Sequence, residues 1–119
     1  MIKFSAAAAN NKLKLLPANK TAAIKSASKD VLSGLYDDSF PLDVFQTGSG
    51  TSTNMNANEV IANLASKKSK LKINANDDVN MSQSSNDVIP TAICLSALID
   101  MNRLLLPNLG LAKVIYSYL

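Results

Sequence analysis

Histidine and tryptophan are both absent from this 119-residue chain, cysteine occurs once, and aromatic residues make up 5%. Without histidine the chain can supply no imidazole base, no His-bearing zinc site and no Ser-His-Asp triad. A single cysteine cannot form an intrachain disulfide framework and fits a reducing compartment, which points to the cytoplasm. No charge of one sign dominates. Twelve basic against nine acidic residues leave a formal +3, too little to argue for nucleic acid or a membrane surface as partner. Long hydrophobic runs are also missing: Val88 to Leu111 is broken by Pro90, Asp100, Arg103 and Pro107, short of the ~20 unbroken apolar residues of a membrane span. The four alanines after Ser5 run straight into Asn10, Asn11 and Lys12, so the start reads as an Ala-rich helix rather than a signal peptide.

What remains is 47% hydrophobic, rich in Ala, Leu and Asn, and suits helices joined by Asn/Ser/Gly connections. A first helix is predicted from about Ile2 to Leu16, with Pro17 then opening a second. In that second helix Ile24, Ala27, Val31 and Leu35 recur at helical spacing and Gly34 marks the end. Phe40 to Phe45 alternates as a short extended piece would, and 46–52 reads as loop. A third helix comes next, with Ala57, Val60, Ile61 and Leu64 on one face, Asn56 and Glu59 spaced as a capping box, and Lys67, Lys68 and Lys70 at a solvated end. After an irregular stretch from Leu71 to Gln83, a long helix is predicted over about Ser85 to Tyr118, kinked or split at Pro107. Its early part is apolar nearly all round, which requires other helices around it. The rest of this chain cannot supply them.

Two stretches concentrate small polar donors directly ahead of helices: Gly48-Ser49-Gly50-Thr51-Ser52-Thr53-Asn54 and Ser82-Gln83-Ser84-Ser85-Asn86-Asp87. A helix start offers unpaired N–H groups and a positive dipole end, and hydroxyls and amides added there make a site for a carboxylate or phosphate. The same residue types are also ordinary N-caps, and the sequence leaves both readings open. The glycine loop is neither a Walker A element nor a dinucleotide fingerprint. Asp37-Asp38 and Asp77-Asp78 are adjacent acids that point apart on any regular backbone, so each pair reads as structural or solvated. Cys94, on the all-apolar helix with no basic neighbour, reads as a buried, inert thiol. No metal site and no cofactor are expected.

The two stretches, taken with their flanks, resemble signatures of the class II fumarate hydratases, within the fumarase/aspartase superfamily. Gln46 to Asn63 (QTGSGTSTNMNANEVIAN) is similar to the first signature, and Asn76 to Asp87 (NDDVNMSQSSND) with Pro90-Thr91-Ala92 after it to the second. Asp37 to Phe45 matches the approach to the first, and the resemblance runs from about Ala6 to about Leu109. Family enzymes are several times longer, so the chain is expected to be an internal piece. The resemblance implies a mainly α fold, with residues 1–82 in an N-terminal helical domain and 83–119 starting the central helical bundle of a homotetramer. Each active site there is built from three subunits.

The implied reaction is reversible hydration of fumarate to (S)-malate, a step of the tricarboxylic acid cycle, through a carbanion held as an aci-carboxylate. By motif, Ser49 and Thr51 would bind a substrate carboxylate, and Ser84, Ser85 and Asn86 would donate to the substrate carboxylates and the growing charge. The expected partner is thus a small dicarboxylate, with neither nucleic acid nor membrane. Where the family carries His-Pro ahead of the second motif's Asn-Asp, this chain has Asn74-Ala75. That puts a secondary anion site at Asn74, Asn76 and Asp77 in question. The family's catalytic serine loop, histidine motif and substrate lysine lie beyond Leu119, so no catalytic residue is expected within this chain, and in isolation it is expected to be inactive. General acid–base groups are typically worth about 10²–10⁴-fold. Aspartate ammonia-lyase, whose pattern carries Gly-Ala-Gly-Thr and Ser-Thr-Asn-Asp, is the alternative enzyme. A non-catalytic helical assembly module is the alternative outside enzymes.

Overall fold

The computed structural model describes residues 1–43, 45 and 50–116, with backbone alone at 112 and 114–116. It is mainly helical, with no strand among the described residues. Among the described residues five helices occur in order: α1 (Ile2–Lys12), α2 (Ala18–Leu32), α3 (Thr51–Ser69), α4 (Ser85–Asp100) and α5 (Leu106–Tyr116). A 3₁₀ turn at Asp37–Ser39 and two π-helical turns, Ala75–Val79 and Met101–Leu105, lie between them. The predicted extension at Phe40 to Phe45 does not form over its described residues, which belong to no element. Two compact units result, Met1–Ile89 and Pro90–Leu119.

The first unit is built by three helices that bury small faces. α1 buries Lys3, Ala7 and Asn10, at the i, i+4, i+7 spacing of one helical stripe. α2 packs on α1 and α3 through Ala23, Ile24 and Ala27, and α3 answers with Ile61, Ala62 and Ala65. Alanines at these positions let the helix axes approach closely, and Leu16, Ile73 and Val79 fill what remains. α1 stops four residues before the predicted end. Lys14 takes a left-handed φ of 62°, and the N–H groups of Leu15 and Leu16 both donate to the Asn10 carbonyl. That reversal turns Leu16 inward, to 1% exposure. Pro17 caps α2 as expected, and Gly34, at φ 81°, comes just after its end. Leu35, expected on the α2 face, lies beyond the helix and is exposed.

The start of α3 corrects the sequence reading. Asn56 and Glu59 do not form a capping box, because the helix already begins at Thr51. Gly50 occupies the N-cap position with φ 73°, a left-handed conformation that glycine reaches without steric cost. Asn56 lies within the helix, and its Nδ2 donates 3.2 Å to the Ser39 carbonyl. At the far end Lys68, expected on a merely solvated end, pairs with Asp30. That partner holds its ammonium pKa above the usual lysine value.

The second unit is one apolar helical rod with a π-turn in it. Pro107 has no N–H and crowds the carbonyl four residues back. The widened turn at Met101–Leu105 accommodates Pro107 and helix follows directly after it, so of the predicted kink or split the split does not form. Pro90 is likewise tolerated near the start of α4. As a result, Ser85–Leu111 is long and apolar enough to cross a membrane by length and composition. The sequence expectation that its prolines and charges disqualify it is therefore overturned. A core helix of a multi-helix assembly has the same composition. Ile93, Leu98, Leu104 and Leu109 are all more than half exposed. Cys94 is exposed as well, contrary to the buried thiol expected, because no other described helix covers this face.

Candidate functional site

The two donor-rich stretches meet through their helix starts. Thr51 is the first residue of α3 and is exposed. The glycine before it has no side chain to cap the first turn, and helix N-termini in general are suited to anions. α4 begins at Ser85, with the Ser84 carbonyl accepting from the N–H groups of Asp87 and Val88 at 3.0 Å each. Ser84 Oγ accepts from the Asn86 N–H at 3.3 Å, a capping bond that leaves its own proton available.

Between the two starts, Asn54 Nδ2 in the first turn of α3 donates to Ser85 Oγ at 2.9 Å. A Cβ at Gly50 would stand 3.1 Å from both Ile89 Cγ1 and Cγ2. The α3 start is thus seated tightly against the second turn of α4, where any Cβ would press on Ile89. Thr51, Ser84, Ser85 and Asn86 accordingly stand at two abutting helix ends; Ser84 and Asn86 are exposed and Ser85 is half-buried. Ser49 lies outside the described residues.

The turn ahead of the second stretch is arranged differently. The Asn74 side-chain carbonyl accepts from the N–H groups of Asn76 (2.8 Å) and Asp77 (2.9 Å), capping the π-turn. Any anion at this turn competes with an acceptor the chain provides itself. The adjacent acids diverge: Asp77 is exposed, whereas Asp78 is buried and accepts from Lys20 Nζ with both oxygens at 2.8 Å and from the Asn74 N–H at 2.8 Å. Asp78 therefore anchors the turn to α2. Asp37 and Asp38 are exposed in the 3₁₀ turn. No group of three or more metal-ligating side chains occurs among the described residues.

Sequence reasoning missed the polar groups beneath the site. Lys3 on α1 is 6% exposed and donates from Nζ to Asn80 Oδ1 and Gln83 Oε1, each at 3.0 Å. Burial pushes its pKa down to about 8. Asn10, two turns along the same stripe, donates to the Met81 carbonyl at 2.9 Å. Asn80 Nδ2 and Gln83 Nε2 close the loop onto its own carbonyls, and within it Ser82 holds a left-handed φ of 59°. These contacts span 71 to 80 residues of sequence, so no local pattern could reveal them. The one available signal was a lysine and an asparagine on the stripe that also carries Ala7.

The chain is 55% identical over 108 residues to the class II fumarate hydratase of Xylella fastidiosa, covering 91% of this chain and 23% of that one. It is 51% identical over 114 residues to the Bacillus subtilis class II fumarate hydratase, covering 92% and 25%. Among solved structures it superposes on the class II fumarase of Schistosoma mansoni with TM-score 0.88 and 43% identity, covering 92% of this chain and 24% of that chain. The chain spans about a quarter of the length of the curated relatives it matches. With two motif-bearing helix starts seated against each other in a helical fold, and residues 1–116 matching the lyase family throughout, the chain belongs to that family.

Proposed function

We propose that this chain is part of a class II fumarate hydratase, an enzyme that reversibly adds water to fumarate to give (S)-malate. The observation that carries the reading is the Asn54–Ser85 hydrogen bond, which ties the first motif's helix start to the second's. Two helix ends joined in this way offer hydroxyls, amides and backbone N–H groups to one small diacid. Neutral, fixed donors of this kind bind a carboxylate and gain strength as the aci-carboxylate charge develops.

In this reading Ser49 and Thr51 hold one substrate carboxylate, and Ser84, Ser85 and Asn86 serve the other and the growing charge. The proton-handling serine and histidine and the substrate lysine come from further polypeptide. Residues 1–82 belong to the N-terminal domain, and 83–119 begin the central bundle of a cytoplasmic homotetramer in which three subunits complete each site. The exposed apolar rod of α4 and α5 is then a bundle helix awaiting its neighbours. At Asn74, Asn76 and Asp77 the Asn74 side-chain carbonyl holds the turn, and an anion there would have to displace it.

A chimera tests the reading. Residues 1–116 replace the matching segment of the Bacillus subtilis enzyme, and fumarate consumption is monitored by its ultraviolet absorbance. Malate formation is expected, with Thr51→Val and Asn86→Ala each lowering kcat/KM by at least about tenfold. A folded chimera that deaminates aspartate instead would move the assignment to the ammonia-lyases. One in which neither substitution alters kinetics would reduce both helix starts to structural caps.

A further inference from the structure

Lys3 is a buried ammonium whose hydrogen-bond partners, Asn80 and Gln83, are neutral, and no carboxylate pairs with it among the described residues. Such a group is costly to keep unless its hydrogen bonds achieve something. Its bonds head a directional chain. A lysine ammonium only donates. It therefore requires Asn80 to present Oδ1, at 3.0 Å, and leaves Asn80 Nδ2 to donate to the Gln83 carbonyl at 3.2 Å. With Asn80 Oδ1 fixed as an acceptor, Asn54 must turn Nδ2 toward it, at 3.2 Å, and the same Nδ2 reaches Ser85 Oγ at 2.9 Å. An asparagine amide can exchange its oxygen and nitrogen with little change of shape, so its partners decide which way it faces.

A second observation bears this out. Asn54, at 2% exposure, faces so that its Oδ1 is buried with no partner among the described residues. An orphaned buried carbonyl is a penalty of about 1–3 kcal/mol, and something must enforce it. The donor-only group at the head of the chain is what enforces it.

We propose that Lys3 is a positioning residue that sets the hydrogen-bond polarity of Ser85 through Asn80 and Asn54. Because Ser85 Oγ accepts from Asn54, its single proton is left to donate, which is the orientation a substrate carboxylate needs. This deepens the reading of Ser85 as a diacid-binding hydroxyl and rests on it. Lys3 touches no substrate; it acts across three hydrogen bonds. Asn10, which holds the Met81 carbonyl from the same stripe of α1, keeps the loop in register so that the chain of bonds is continuous.

The test uses the Bacillus subtilis chimera with Lys3→Met, similar in length but without donors, and Lys3→Arg, which remains donor-only. Lys3→Met is expected to lower kcat/KM for fumarate about tenfold, with kcat falling as well, since a misoriented Ser85 hydroxyl no longer serves the growing charge. Lys3→Arg should recover most of that loss. In this chain itself, the side-chain amide resonances of Asn54 and Asn80 are expected to shift together in Lys3→Met and to return toward their original positions in Lys3→Arg. An unchanged kcat/KM in a folded Lys3→Met chimera would overturn the proposal, as would an Asn54 amide indifferent to the substitution. A parent chimera without hydratase activity counts against the proposed function, and the Asn54 resonance in the isolated chain then decides the role of Lys3.

Discussion

The two units differ in a way that composition does not foretell. Pro90–Leu119 is the more apolar in sequence, yet its large side chains stand in the open: Ile93 is 64% exposed and Leu111 60%. Met1–Ile89 carries most of the chain's asparagines, lysines and serines, yet it closes a core with Ile24, Ala27 and Ala65 fully buried. Hydrophobic stabilisation tracks area removed from water, not apolar content. A single rod cannot cover its own circumference, whereas three helices with alanine faces can cover one another. The first unit can also place charge inside, because α1, α2 and the π-turn supply partners for Lys3, Asn10 and Asp78.

Side-chain truncation should separate the units most strongly. Ile24→Ala should destabilise the chain by about 2–5 kcal/mol, while Leu98→Ala, half exposed already, should change it by less than about 0.5 kcal/mol. Urea denaturation of the two variants measures this, and equal losses would erase the distinction. Next comes association. If the rod's exposure drives self-contact, the chain should sediment as oligomers, and the double variant Ile93→Gln, Leu98→Gln should shift it toward monomer. A parent chain already monomeric at all concentrations would show that these surfaces need a different neighbour.

A weaker effect belongs to Lys3 and refines the account of the first unit. Its pKa is about 8 when folded, against the ordinary lysine value of 10.5 when unfolded. Between those values the unfolded chain binds more protons, so stability should rise as pH increases from about 8 to 10.5. The increment should vanish in Lys3→Met. A fall in stability across that window would place Lys3 in a more favourable environment than its neutral neighbours provide.

Helix content and the family were legible because they are written locally: periodic alanines, Pro17 before α2, and two long motifs. Helix boundaries were less so. Asn56 and Glu59 have capping-box spacing, but Gly50's left-handed geometry caps α3 six residues earlier. The space left by Ile89, 39 residues away, is what demands a glycine there. The supporting layer of the site was least visible. Lys3, Asn54 and Asn80 look like surface residues in sequence, and only the packing of α1 beneath the second motif brings them together. Cys94 and the prolines of the rod mislead in the opposite direction. Apolar neighbours in sequence make Cys94 look buried although no described helix covers it, and Pro107, read as a kink or split, follows a π-turn that carries the helix on.

The widened turn at Met101–Leu105 has one more effect on the rod. An added residue per turn advances the phase of everything downstream, as a stutter does in a coiled coil. The leucines of α5 therefore point along a different bearing from those of α4. Any helix lying alongside must either carry a matching offset or exchange one ridge for another at that level. The interruption thus marks the level along the rod at which that adjustment falls.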